Sequence, residues 1–185
     1  QCFFIMPTLY KKAGWIHKFA IHVKTGKPMP AALLEKVKRA ANFNQGSQTM
    51  EYLGSALVDM KYHLSQEKTI DPDRFERETL AAFGMPAELV MRHRSTQFSH
   101  VFGSDAYSAG YYSYLWADTL SASAFEAFTE AKGPYDKAVA ARLKQHVLSV
   151  GNSIDPVEGF RAFRGKDPDS DALMRKRGFP VSARK

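Results

Sequence analysis

Cysteine and long apolar runs are scarce in this chain, and each scarcity excludes a class of protein. The single cysteine among 185 residues, Cys2, excludes an internal disulfide framework and a zinc site built from several thiolates. No stretch comes near the roughly 18 to 20 consecutive apolar residues that a bilayer span needs, which excludes a transmembrane protein. With 44% hydrophobic and 24% charged residues, the chain has the composition of an ordinary globular domain.

The net charge of +7 resides at the two ends of the chain. Residues 1–14 carry +2 and residues 161–185 carry +5, whereas residues 15–160 contain 16 basic and 16 acidic side chains. We interpret the basic end as a solvated tail with a few exposed cations, and we predict no nucleic-acid partner, because such a partner calls for a basic face on the folded body. A nucleic-acid binder that uses this tail is the alternative.

Apolar residues recur every three or four positions between clear stop signals, and no run alternates between apolar and polar residues. This pattern predicts one all-α domain with little or no β-strand. Ser47, Asp71 and the pair Ser104-Asp105 are the predicted helix caps. The predicted helices cover residues 31–42, the segment that follows Ser47 and reaches Leu64, and residues 72–84, 106–132, 135–150, 156–164 and 171–176.

The first fourteen residues have the character of added sequence. Thr-Leu-Tyr-Lys-Lys-Ala-Gly at residues 8–14 resembles the translated scar of recombination cloning, so residues 1–14 are interpreted as a tag and native sequence is expected from near Trp15. The apolar residues 2–6 have no basic residue before them and no cleavage site after them, so they are not interpreted as a signal peptide. We expect a cytoplasmic protein.

The most unusual stretch places four tyrosines within eight residues, from Tyr107 to Tyr114. In a helix that begins at Ala106, Tyr107, Tyr111 and Tyr114 share one face, and Tyr107 lies near the positive end of the helix dipole. A phenol is neutral at pH 7 and donates a hydrogen bond, which suits the stabilisation of an oxyanion. The alternative is an aromatic stripe of the core. Gly110 favours a site, because glycine inside a helix costs about 1 kcal/mol and indicates a close approach.

Residues 100–116, His-Val-Phe-Gly-Ser-Asp-Ala-Tyr-Ser-Ala-Gly-Tyr-Tyr-Ser-Tyr-Leu-Trp, resemble the C-terminal motif of the thimet oligopeptidase family, and the peptidyl-dipeptidase branch is the most similar. Further segments match in order: 42–46 (Asn-Phe-Asn-Gln-Gly), 57–63 (Leu-Val-Asp-Met-Lys-Tyr-His), 92–95 (Arg-His-Arg-Ser), 151–153 (Gly-Asn-Ser) and 163–166 (Phe-Arg-Gly-Lys). The resemblance implies an all-helical zinc metallopeptidase. One departure is a glycine-rich loop, residues 103–106, that is one residue longer than the commoner form.

The resemblance also implies roles for single residues. Tyr107 and Tyr114 match tyrosines that hydrogen-bond the scissile carbonyl oxygen as it becomes an oxyanion. His100 matches a histidine of the substrate cleft, and Tyr111 matches an aromatic residue that lines it. Arg92 and Arg94 are candidates to bind the C-terminal carboxylate of a peptide, and structural ion pairs are the alternative for both.

The metal motif of that family, His-Glu-x-x-His, does not occur in this sequence. The histidines lie at positions 17, 22, 63, 93, 100 and 146, and no two have the spacing of a helical zinc pair. We therefore expect the chain to be the C-terminal portion of a peptidase whose zinc site lies upstream, and to be inactive and metal-free alone. Its expected partners are short peptides, the missing zinc-bearing part and a second copy of itself, with no membrane partner. A non-catalytic helical interaction module is the alternative.

Overall fold

The computed structural model describes residues 18–181, and this part of the chain is built from helices. No strand forms within these residues, and the one β-bridge, between Ile21 and Pro28, is isolated. The predicted all-α class is confirmed. The proposed tag at residues 1–14 lies outside the described residues. No helix within residues 18–181 is both long and apolar enough to cross a bilayer.

Besides Lys18 and Phe19, which are also helical, the described residues form eight α-helices. They are α1 Ala31–Ala40, α2 Gln45–Leu64, α3 Pro72–Ala82, α4 Ser99–Phe102, α5 Ser113–Glu130, α6 Lys137–Leu143, α7 Pro156–Arg164 and α8 Ser170–Arg177. A 3₁₀ turn, Ser95–Gln97, precedes α4, and a π-helical turn, Lys144–Leu148, continues α6. The predicted bounds of α7 agree with the observed ones, and those of α1, α3 and α8 differ by at most two residues at either end.

Aspartates cap several of these helices. Asp71, Asp136, Asp155 and Asp169 each accept a hydrogen bond from a backbone N–H of the first turn that follows. The predicted cap at Ser47 is wrong, because α2 begins two residues earlier, at Gln45, after Asn44 with a φ of 56°. Asparagine tolerates this left-handed conformation better than most residues, so the helix can start directly after it.

The described residues group into two compact units, where the sequence pattern predicts one domain. The first, here called the tyrosine unit, is residues 44–116, and its core contains Val58, Leu80, Met91, Phe98 and Val101. The second, here called the tail unit, is residues 18–43 and 117–181, and its core contains Ala124, Ala127, Phe128, Val139, Phe160 and Phe163. Each unit thus buries its own apolar cluster.

The basic C-terminal region is part of the tail unit as far as it is described. α7 and α8 place Phe163 and Leu173 in the interior, and every basic residue from Arg161 to Arg177 lies in an ion pair with an acid. Arg164, whose side chain is only 5% exposed, donates to both carboxylate oxygens of Glu130. The interpretation of this region as a solvated tail is therefore wrong for these residues, because acids of α5 and neighbouring loops neutralise its cations.

The cap of α7 offers a test of this fold. Asp155 Oδ1 accepts from the N–H groups of Val157 (2.7 Å) and Glu158 (3.3 Å). We expect Asp155→Ala to lower the free energy of unfolding by about 1 kcal/mol, because two amides lose their acceptor. Asp155→Asn is the matched control and should lose little, since asparagine caps almost as well. Urea denaturation followed by circular dichroism measures both, and equal losses would contradict the capping role.

Candidate functional site

The tyrosine-rich segment starts its helix later than predicted. Residues 103–112 form consecutive turns, and α5 begins at Ser113, so Ser104 and Asp105 do not cap it. Tyr107 and Tyr111 therefore lie in the turns, and Tyr114 is the second residue of α5. The predicted common helical face is wrong, and so is the placement of Tyr107 near the helix N-terminus, which Tyr114 occupies instead.

The turns nevertheless bring the predicted residues together. The rings of Tyr107 and Tyr114 are nearly parallel, with centroids 5.7 Å apart and an interplanar angle of 9°. His100 stacks on Tyr107 at 4.3 Å, and Tyr111 meets Tyr114 edge-on at 5.5 Å. Nε2 of His100 lies 3.1 Å from the Tyr114 hydroxyl, which is hydrogen-bonding distance. We call His100, Tyr107, Tyr111 and Tyr114 the tyrosine cluster.

The tyrosine cluster is not sealed inside the core. Its three tyrosines are half-buried and His100 is exposed. Phe98, which is buried, contacts Tyr111 edge-on at 4.9 Å and backs the cluster on its inner side. Three phenols and an imidazole thus form a partly exposed polar surface. Its phenol hydroxyls are hydrogen-bond donors that need no charge.

The hydroxyl of Tyr114 holds its proton strongly. Its hydrogen bond with the Tyr107 hydroxyl, which favours the neutral phenol, raises the pKa of Tyr114 to about 12, and partial burial and the nearby phenols of Tyr107 and Tyr111 act in the same direction. Because this value is far above neutral pH, the Tyr114 phenol is fully protonated under physiological conditions. It is therefore a neutral hydroxyl and not a phenolate.

Three residues of α2 hold this segment, and the sequence analysis assigned none of them a role. Asp59 accepts hydrogen bonds from the N–H groups of Ala109 (3.1 Å) and Tyr111 (3.0 Å), and His63 Nδ1 lies 2.9 Å from its Oδ1. The Tyr52 hydroxyl donates to the carbonyl oxygen of Tyr111 and accepts from the N–H of Leu115.

The sequence contained a signal for these three residues. Tyr52, Asp59 and His63 are separated by seven and four positions, so they share one face of a helix. Asp59 is itself buried, and an acid is rarely buried without partners. The partners, however, are backbone amides some 50 residues away, which periodicity does not predict.

The prediction that Gly110 marks a close approach inside a helix is wrong. Gly110 lies in a turn outside any helix, and a Cβ there would meet the backbone of Tyr107 at an ordinary 3.4 Å. The strained residue is its neighbour Ala109, with a φ of 54°, a region that costs non-glycine residues roughly 1–2 kcal/mol. Strain in this turn therefore falls on the residue whose N–H is bound by Asp59.

The two candidate arginines lie in ion pairs. Arg94 Nε is 2.5 Å from Glu76 and its Nη2 is 3.0 Å from Asp73, and Arg92 Nη2 is 3.2 Å from Glu51. Glu76 is itself buried and also accepts from the backbone N–H and hydroxyl of Ser95. Arg94 thus has the contacts of a structural ion pair with two acids, one of them buried, whereas Arg92 pairs with Glu51 alone in this set of contacts.

The resemblance to a zinc peptidase family raises the question of metal ligands. Within residues 18–181, no three histidine, cysteine, aspartate or glutamate side chains come together as they would around a metal ion. The pair Asp59 and His63 is turned toward each other and toward backbone amides. The described residues therefore do not fit a zinc ion by themselves.

The raised pKa of Tyr114 has a direct test. We expect Tyr107→Phe to lower the pKa of Tyr114 toward the ordinary value of 10.0, because the largest cause of the shift is removed. The measurement is an NMR titration of ¹³Cζ-labelled tyrosine over the pH range in which circular dichroism shows a folded chain. Tyr112→Phe, which removes an exposed neighbouring phenol, is the control and should leave the Tyr114 resonance unchanged. A Tyr114 titration that is the same in all three proteins would contradict the assigned hydrogen bond.

Comparisons with known proteins agree with the resemblance. The pattern of Peptidase family M3 matches residues 4–179, a range that includes most of the proposed tag. The chain is 37% identical to a dipeptidyl carboxypeptidase of Salmonella typhimurium over 165 residues, and 34% identical to oligopeptidase A of Escherichia coli over 162 residues. It is also 33% identical to a probable cytosolic oligopeptidase A of Arabidopsis thaliana over 168 residues.

These alignments cover 87%, 85% and 86% of this chain, but only 24%, 23% and 23% of the relatives. The chain thus spans about a quarter of the length of the curated relatives that it matches. The ordered motifs, the helical fold and the matches over most of the chain lead to one conclusion: the chain belongs to peptidase family M3.

Proposed function

We propose that this chain is the substrate-binding and oxyanion-stabilising part of a zinc-dependent oligopeptidase or peptidyl-dipeptidase that hydrolyses short peptides. The observation that carries the proposal is the tyrosine cluster, in which the Tyr114 hydroxyl lies 3.1 Å from His100 and the Tyr107 ring is parallel to that of Tyr114. Cleavage of a peptide bond passes through a tetrahedral carbon whose oxygen carries negative charge. Donors fixed in advance stabilise that oxygen more than the ground-state carbonyl.

Tyr107 and Tyr114 are the proposed catalytic donors. Each phenol can donate its proton in a hydrogen bond without ionising, and the pKa of about 12 at Tyr114 keeps that proton in place. Tyr114 is also the second residue of α5, where the helix dipole favours developing negative charge. His100 adds an exposed ring nitrogen next to Tyr114 that can hold the substrate backbone or assist the same oxygen.

The remaining predicted site residues have supporting roles in this proposal. Tyr111 lines the substrate surface with its ring, edge-on to Tyr114. Arg92 is the better candidate of the two arginines to bind a peptide carboxylate, because Arg94 already pairs with two acids, Asp73 and Glu76. The zinc ligands are proposed to come from a part of the parent outside this chain, so the chain alone is expected to be inactive. The cytoplasm is the proposed compartment of the parent.

The proposal is tested by removing one hydroxyl at a time in the parent protein. We expect Tyr107→Phe and Tyr114→Phe each to lower kcat on the order of 10²-fold with little change in KM, because a donor used mainly in the transition state is lost. Steady-state kinetics on a short blocked peptide measures both constants. Tyr112→Phe is the matched control and should keep its kcat. An unchanged kcat in both test variants would remove the tyrosines from the mechanism and favour a peptide-binding module.

A second proposal concerns partners of the tail unit. α1 has no buried residue, and its apolar residues Leu33 and Val37 are 47% and 42% exposed. Phe19 and Ile21, from the same unit, are exposed as well. Exposed apolar residues of this kind favour burial in an interface. We propose that the rest of the parent covers this surface and that, in its absence, a second copy of the chain does so.

This arrangement predicts that the isolated chain self-associates. Sedimentation velocity at increasing concentration should show dimers or larger species, and Leu33→Glu combined with Val37→Glu should shift the chain toward the monomer. The matched control is Lys36→Glu with Lys38→Glu, which changes charge on α1 without removing an apolar side chain. A chain that stays monomeric at high concentration would contradict the proposal.

A further inference from the structure

We propose that Asp59 is a positioning residue for the tyrosine cluster: its buried carboxylate, supported by His63, fixes the turn between Tyr107 and Tyr114 so that both phenols face the same substrate oxygen. The inference rests on the function proposed above and extends it to residues that do not touch the substrate. It is carried by the hydrogen bonds of Asp59, by the strained backbone of Ala109 and by the arrangement of partners along α2.

The first argument is the environment of the carboxylate. Asp59 is 1% exposed, and a buried acid is costly unless its oxygens are hydrogen-bonded or paired. Oδ1 accepts from the Ala109 N–H at 3.1 Å and lies 2.9 Å from His63 Nδ1, and Oδ2 accepts from the Tyr111 N–H at 3.0 Å. Both amide partners are in the turn, so the carboxylate and the turn determine each other's position.

The second argument is the backbone strain that Asp59 offsets. Ala109 has a φ of 54°, which a residue with a side chain adopts only where its surroundings enforce it. The N–H of this residue is the one bound by Oδ1 of Asp59. The next N–H, of Gly110, closes the turn onto the carbonyl oxygen of Tyr107 at 2.8 Å. The N–H of Ala109 also lies 3.3 Å from Nδ1 of His63, so Asp59 and His63 together oppose relaxation of Ala109 toward negative φ.

The third argument is that the same face of α2 holds the segment at both ends. The ring of His63 stacks on Phe102, two residues after His100, with centroids 5.7 Å apart. At the other end, Tyr52 bonds the carbonyl oxygen of Tyr111 and the N–H of Leu115 and stacks on the Tyr111 ring. Asp59 lies between these two contacts along the helix. A single rigid element therefore sets the positions of the cluster residues on either side of the turn.

Kinetic measurements distinguish a positioning role of Asp59 from simple stabilisation of the fold. A displacement of about 1 Å at reacting groups can cost roughly 10²-fold in rate. In the parent peptidase we expect Asp59→Asn to lower kcat about ten- to a hundred-fold with KM nearly unchanged, because substrate binding by the remaining surface persists while the two phenols lose their alignment. His63→Phe keeps a ring against Phe102 but removes the nitrogen that supports Asp59. This variant should also lower kcat, by a smaller factor than Asp59→Asn.

The matched control is Glu126→Gln in the tail unit. Glu126 is also a shielded carboxylate, 20% exposed, which lies 2.7 Å from Arg175 and 3.9 Å from Arg164. This variant should lose thermal stability and keep its kcat, measured below the unfolding transition of every variant. A kcat loss for Glu126→Gln equal to that for Asp59→Asn would overturn the inference, since general destabilisation would then explain both.

A second measurement does not depend on activity. In ¹⁵N-labelled chain, hydrogen exchange of the Ala109 and Tyr111 amides should be at least tenfold faster in Asp59→Asn or His63→Phe, while core amides of α2 exchange as in the unaltered chain. Unchanged exchange at both amides would overturn the inference.

If Asp59→Asn keeps full kcat while Tyr114→Phe loses it, only the positioning role fails. If neither tyrosine variant loses kcat, the proposed function fails, and amide exchange alone decides whether Asp59 fixes the turn.

Discussion

Two hydrogen bonds accepted by one buried carboxylate hold the turn on which the arrangement of the tyrosine cluster depends. Asp59 accepts from the N–H groups of Ala109 and Tyr111, and in this arrangement Ala109 has a left-handed φ of 54°. A helix through the same residues would direct those amides to carbonyl oxygens one turn earlier instead. α5 accordingly starts only after the turn, at Ser113, and the turn places the rings of Tyr107 and Tyr111.

The cluster that results is polar without depending on fixed charge. Aromatic rings supply packing area, and their hydroxyls supply donors that need no counter-ion. Charged groups of the unit lie in ion pairs such as that of Arg94 with Glu76, and the Asp59 carboxylate binds backbone amides of the turn. A surface of this kind suits a reaction in which the negative charge appears only during the chemical step, because a permanent cation would also bind the ground state.

Much of the fold could be predicted because it depends on local signals. Pro156, the acid before it and the glycine after Arg164 define α7 from start to end, and Asp71 with Pro72 does the same for the start of α3. The tyrosines and His100 were found by their composition and by resemblance to a family motif. Asp59 and Tyr52 were missed as site residues because their partners are main-chain groups far away in sequence, which leave no trace in residue type.

By itself, the sequence determined the helical class, most helix ends and which side chains could donate to an oxyanion, since caps, periodicity and functional groups are properties of neighbouring residues. Only the tertiary structure decided that Tyr107 and Tyr111 leave the helix, that Arg94 is held by acids, and that the cations from Arg161 to Arg177 are paired. The first two outcomes depend on a buried carboxylate, Asp59 or Glu76, that finds its donors in another segment, which is a balance of desolvation and hydrogen bonding.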